Sequence, residues 1–131
     1  MEALTAVALD TNAYVAFCKG IAWSVDILRR AREIYLPIIV LAELRAGFAC
    51  GNQKLTNERK LIAFLNSERV EILNTDESTT HHYARLYCQL RKQGTPIPMN
   101  DLWIAALAVQ HDMLLLTGDG HFDCIPQLLR P

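Results

Sequence analysis

The chain opens with Leu4–Asp10, an apolar run that stops abruptly on a carboxylate. Apolar residues in unbroken succession predict a strand covered on both faces. From about Asn12 to Lys19, Ala13, Val15, Ala16 and Phe17 predict a helix that Gly20 breaks. Trp23–Glu33 predicts a second helix, with Val25, Ile27 and Leu28 inward and Asp26 and Glu33 near Arg29 and Arg30 on the surface. Ile34–Pro37 is a short strand closed by proline. Ile38–Ala49 predicts a helix with Val40, Leu41, Leu44 and Phe48 on one side. Leu55–Asn66 predicts another, with Leu61, Ile62, Phe64 and Leu65 buried. Arg69–Leu73 alternates polar and apolar residues, as a less central strand does. Thr75 or Asp76 caps a helix through about Lys92, and the glycine and prolines of Gln93–Pro98 make a loop. Asn100 then caps a helix through His111 that is apolar nearly all round and should be buried on most sides. Met113–Leu116 is a strand, and Thr117-Gly118-Asp119-Gly120 is the loop that leaves it. The remaining residues to Pro131 add an edge strand or pack down.

Strands separated by helices imply right-handed crossovers, hence an α/β fold with a central parallel sheet between two helical layers, α/β/α, in one domain over residues 1–131. In such sheets a site forms beyond the carboxyl ends of the strands, where strand order reverses. If the first and last strands are neighbours, Asp10 and Asp119 meet there.

Composition narrows the chemistry only a little. The chain has 131 residues, 51% of them hydrophobic and 21% charged, which suits a packed core rather than disorder. Net charge is −1 and pI about 6.4, so no global basic field attracts nucleic acid, and a polyanion must be met by a local groove or a bound cation. Cys18, Cys50, Cys88 and Cys124 have no ligand spacing, which argues against zinc and for free, mostly buried thiols in a reducing cytoplasm. Residues 3–9 are too short for a secretory segment, and Leu102–Val109 is far too short for a membrane span.

Four acids stand out: Asp10 at a strand end, Glu43 among Leu41, Ala42 and Leu44, Asp101 in the first turn of an apolar helix, and Asp119 in Gly-Asp-Gly. Asp10, Asp101 and Asp119 alone have ordinary readings as a cap, a dipole partner and a turn residue, while Glu43, harder to dismiss on a largely buried helix, can still reach solvent as helix faces alternate. Together they fall on one rim of the predicted sheet. Two charges ~4 Å apart repel by about 1 kcal/mol in water and about 4 at an effective dielectric of 20, so a fold that gathers four needs a counter-charge. A hard divalent cation, Mg²⁺ or Mn²⁺, suits oxygen ligands and phosphoryl chemistry.

The blocks Leu9-Asp10-Thr11-Asn12, Leu41-Ala42-Glu43-Leu44, Asn100-Asp101-Leu102-Trp103-Ile104-Ala105-Ala106 and Leu116-Thr117-Gly118-Asp119, with His121-Phe122, resemble the PIN-domain nucleases and, within them, the VapC-type ribonuclease toxins. The resemblance implies a metal-dependent endoribonuclease. Asp10, Glu43 and Asp101 match its three invariant-type acids, and Asp119 matches the more variable fourth. It further implies that Thr11 or Asn12 orients Asp10 and that Thr117 backs the attacking water. It implies an RNA substrate, a small cognate antitoxin protein and a homodimer, with the Ile38–Ala49 helix a candidate face. Arg45, Arg85, Arg91 and Lys92 are candidate phosphate contacts, each equally readable as an ordinary solvated charge. The chain departs from many such toxins in being slightly acidic overall.

Other constellations carry less. Asp123 reads as a helix or turn residue. His81 and His82 are adjacent and point apart on a helix, and His111 and His121 lack partners at ligand spacing, so all four read as surface residues. Trp23 and Trp103 read as core. No nucleophile elbow or glycine-rich phosphate loop is present. The rival reading is a non-catalytic module on the same fold that binds RNA or nucleotides or sequesters a partner.

Overall fold

The computed structural model describes residues 4–131; residue 3, where the short apolar stretch of the opening begins, lies outside that range. In chain order the elements are β1 (Leu4–Leu9), α1 (Thr11–Cys18), α2 (Ala22–Arg30), β2 (Ala31–Pro37), α3 (Ile38–Cys50), α4 (Lys54–Leu65), β3 (Val70–Leu73), α5 (Glu77–Gln93), α6 (Met99–Gln110) and β4 (Leu114–Leu116), followed by a 3₁₀ turn at Gly120–Cys124. The strands form one sheet in the order β3-β2-β1-β4, and every pair is parallel.

Val7, Ala8 and Leu9 are each fully buried although successive strand residues point to opposite faces, so helices must cover both sides of β1. Six helices do so, giving the expected α/β/α arrangement. From β1 the chain builds outward through β2 to β3, then returns to place β4 on β1's other side. The order therefore reverses between β1 and β4, and the ladder there continues past the strands, with the Asp10 amide donating to the Leu116 carbonyl at 3.2 Å. Asp10 and the Thr117–Asp119 loop thus leave the sheet side by side. β3 lies at an edge, as its alternation predicts.

Several expectations shift. The second helix ends at Arg30, because Ala31 and Glu33 pair with Leu4 and Ala6 instead of continuing the helical turn. On α4 only Leu61 is buried among the residues named; Ile62 is 46% exposed. Asn100 does not cap α6, which starts two residues earlier than that cap implies, at Met99 behind Pro98, a residue that supplies no side-chain cap. Asp76 does cap α5, accepting from the Thr79 amide at 3.1 Å while Thr79 Oγ1 accepts from the Asp76 amide at 3.0 Å. α6 is buried over Leu102 and Ile104–Ala108, which anchors its first turn firmly. The thiols are not mostly buried: Cys18, Cys50 and Cys88 are exposed and Cys124 is half-buried. Trp23 is not core either, at 41% exposure. Among the described residues no helix is long and apolar enough to cross a membrane.

Candidate metal and phosphodiester site

Asp10 is the innermost acid. It follows β1 and caps α1, its Oδ1 accepting from the Ala13 amide at 2.8 Å. Its Oδ2 accepts a short hydrogen bond from the Thr117 hydroxyl, and that same oxygen of Thr117 accepts from the Asp119 amide at 2.9 Å. One hydroxyl thereby ties the end of β1 to the loop after β4. Asp10 is only 4% exposed. Burial raises its pKa, the bonds from Thr117 and Ala13 oppose the rise, and the nearby charges of Asp119 and Asp101 add to it.

Glu43 reaches the same rim from α3, the helix that follows β2, and its Oε1 accepts from the Thr11 hydroxyl at 2.9 Å. Thr11 therefore holds Glu43 rather than Asp10. Asn12 is exposed, and among the described residues no hydrogen bond joins its side chain to Asp10, which Ala13 and Thr117 orient instead.

Asp101 enters on the first turn of α6. Between it and Asp119 lies His121, whose Nδ1 is 2.9 Å from Asp101 Oδ2 and 3.3 Å from Asp119 Oδ1. The Asp101 contact and the Asp119 charge raise the imidazole's pKa. Ligand atoms of Asp101, Asp119 and His121 all fall within 4.8 Å of one another. Sequence reasoning set His121 aside because its partner Asp101 is 20 positions away. The signal available was local: His121 is two residues past Asp119, whose Oδ1 accepts from the His121 amide at 2.9 Å.

All four sequence-predicted acids thus stand on one rim, held by a threonine each at Glu43 and Asp10 and by a histidine at the other two. The donor set suits a hard cation, since it is rich in carboxylate oxygen, and the one imidazole already occupies a cation's place between two carboxylates. The predicted basic residues lie away from the acids. Arg45 pairs with Glu58 at 2.8 Å, Arg91 donates to the Tyr87 hydroxyl at 3.0 Å and lies over its ring, and Arg85 and Lys92 line a shallow depression on α5. Among the described residues none contacts the acids. Asp123 lies in the 3₁₀ turn and pairs with Arg130 at 2.7 Å.

A family model described as the PIN domain matches residues 7–128. Ribonuclease VapC1 of Haemophilus influenzae is 36% identical over 113 residues, 83% of this chain and 83% of that protein. Among solved structures, VapBC2 from Rickettsia felis bound to a DNA fragment from its promoter has a chain that superposes with a TM-score of 0.84 at 32% identity, covering 96% of this chain and 97% of that one. VapBC-1 from nontypeable H. influenzae gives 0.82 at 28% identity, with 96% of each chain covered.

Proposed function

This chain belongs to the PIN-domain family, and from that premise we propose that it is an endoribonuclease toxin of the VapC kind. The observation that carries the reading is the convergence of Asp10, Asp101 and Asp119 at the strand-order reversal, with Glu43 bonded to the adjacent Thr11 and with the Asp10 carboxylate made uncomfortable first by burial and then by its neighbours' charge. Asp10, Asp101 and Asp119, with Glu43 close behind, would hold Mg²⁺ or Mn²⁺. Such an ion supplies Lewis-acid polarisation of a phosphoryl oxygen and neutralises charge as the phosphodiester is displaced.

The chain's own residues do the rest. Thr117 fixes Asp10 and the Asp119 backbone in one geometry, so the two carboxylates need not reorganise when substrate arrives. Thr11 aims Glu43 toward the rim, where an ionised carboxylate can accept the proton of an attacking water. Asp101 rides on a buried helix, which limits its drift. His121, exposed at the mouth, can turn outward and leave the two carboxylates free. Attack by water rather than by the ribose 2′ hydroxyl leaves a 5′ phosphate.

The proposed partners are RNA as substrate, a small antitoxin and a second copy of the chain. An apolar groove of about 780 Å³ bordered by Phe17, Val25, Leu28 and Phe64, with Arg29, Lys60 and Arg69 among its lining, supports an amphipathic acidic segment as antitoxin. Exposed Ala42, Ala46 and Ala49 along α3 support a close helical contact in a homodimer. End-group analysis of RNA cut with Mg²⁺, Mn²⁺ or EDTA tests the chemistry. Metal-dependent 5′ phosphate ends are expected, and metal-independent cleavage to 2′,3′-cyclic ends refutes it.

A further inference from the structure

Trp23, the second residue of α2, is an anomaly. A large aromatic in a small α/β domain usually buries itself, yet this one is 41% exposed. Its benzo ring rests on Gly118. A Cβ at position 118 would stand 3.2 and 3.3 Å from ring carbons Cζ2 and Cη2, too close for any side chain without movement of the indole. The glycine is not there for a left-handed backbone, since the positive-φ glycines are Gly20 and Gly94. Gly118 provides room for the ring.

That position lies between Thr117, which ties Asp10 to the loop, and Asp119 itself. The indole is therefore mounted on the segment that carries two of the site's contacts. Beside it opens a hollow of about 490 Å³ that reaches from Trp23 to Thr117. Ile27, Leu115 and Pro131 make much of its wall apolar. Its two charges are opposite, Asp26 and Arg130, and Arg130 is already paired with Asp123 at 2.7 Å. The hollow thus offers a flat π surface and little net charge.

This chemistry suits a nucleobase rather than a phosphate. The chain carries a net charge of −1, and its candidate basic residues do not border the acids. Counterion release therefore supplies little of the binding. Base–aromatic stacking needs no cation and tolerates any base, because every base has a π face.

Resting on the endoribonuclease reading, we infer that Trp23, seated on Gly118, is a stacking platform for an unpaired nucleobase of the RNA beside the loop that carries Thr117 and Asp119. It is a substrate-positioning residue, and it selects for RNA whose bases are free of a duplex, since paired bases are already stacked on each other.

The chain has two tryptophans, so Trp103→Phe makes Trp23 the sole indole reporter. In EDTA, a single-stranded oligoribonucleotide should quench this fluorescence, and the same sequence as a duplex should not. Trp23→Ala should weaken binding of the single strand by roughly 10- to 100-fold. Trp23→Leu, which keeps apolar bulk without a π face, should lose nearly as much, whereas Trp23→Phe should recover most of it. The lost part should be insensitive to salt. Equal affinity of the Leu and Phe variants, equal quenching by duplex, or quenching only by a co-purified protein segment overturns the inference. If instead the wild type quenches as expected but cleaves no RNA with Mn²⁺, the nuclease reading fails while the platform stands.

Discussion

Replacing Asp10 with Asn should make the metal-free protein more stable while abolishing cleavage. Asn caps helices about as well as Asp, and its Oδ1 can keep the 2.8 Å bond from the Ala13 amide. What the substitution removes is a carboxylate that is 4% exposed and faces the charges of Asp119 and Asp101. Relief of burial is the larger part of the gain, and relief of that repulsion adds at most about 1 kcal/mol per neighbour, the value for charges ~4 Å apart in water. Against it, the Thr117 hydroxyl loses a charged acceptor for a neutral one, a loss of about 1 kcal/mol. The net is a gain of roughly 1–2 kcal/mol, which for a chain of this size raises Tm by about 3–8 °C. The sign can be followed with pH. Because the folded pKa of Asp10 is raised above 3.8, the wild type gains stability as pH falls and loses it as pH rises through that folded value. The variant's advantage should therefore be greatest at neutral pH and close as pH approaches 3.8. Thermal melts in EDTA across that range measure it. Saturating Mg²⁺ should reverse the ranking, because an ion at about 100 times its Kd adds roughly 2.7 kcal/mol to the wild type alone. An Asn variant that melts lower in EDTA at neutral pH, or that keeps the full Mg²⁺ shift, would refute the reasoning.

Thr117→Val should have the opposite effect on stability and the same effect on activity. The buried Asp10 oxygen loses its donor and the Asp119 amide its acceptor, a loss of about 1–3 kcal/mol in EDTA melts, with cleavage down at least ~10-fold. Asp76→Ala should lower Tm without touching cleavage, since it removes the α5 cap and the bond from Gln110 Nε2 at 2.9 Å. The Gln110 and Thr79 bonds lower the Asp76 pKa, so that contribution is fully present above pH 3.8 and is lost as pH falls below 3.8 through the lowered folded value, where melts of both proteins should converge.

The parts of this fold legible in the sequence are those set by local rules. An apolar run ending on Asp10, a proline closing β2 and an acidic cap at Asp76 each announce an element without help from elsewhere. The four acids were singled out for a different reason: each has an ordinary reading in its own segment, and it was their common placement on one predicted rim that set them apart. What escaped depends on tertiary contact. Ala31 and Glu33 have helical neighbours but join a strand because β1 offers them backbone partners. Ile62 and Trp23 look like core until the packing shows what covers them. His121 looks like surface until Asp101 arrives from another helix. Thr11 and Thr117 each face an acid, but which acid depends on strand order, and the nearest carboxylate in sequence is the wrong guess for Thr11.

The hydrogen bond from Thr117 to Asp10 spans 107 residues. Chains are made from the N-terminus at about 5–20 residues per second, so Asp10 exists for roughly 5–20 s before its partner does. β4, the strand that carries the loop to it, is the last to join the sheet in chain order and docks beside the first. A growing chain can form β1, β2, β3 and most of the helices and still lack the loop that carries Thr117 and Asp119. The arrangement is a clock as well as a scaffold: the rim closes only once β4 and the loop behind it have been made.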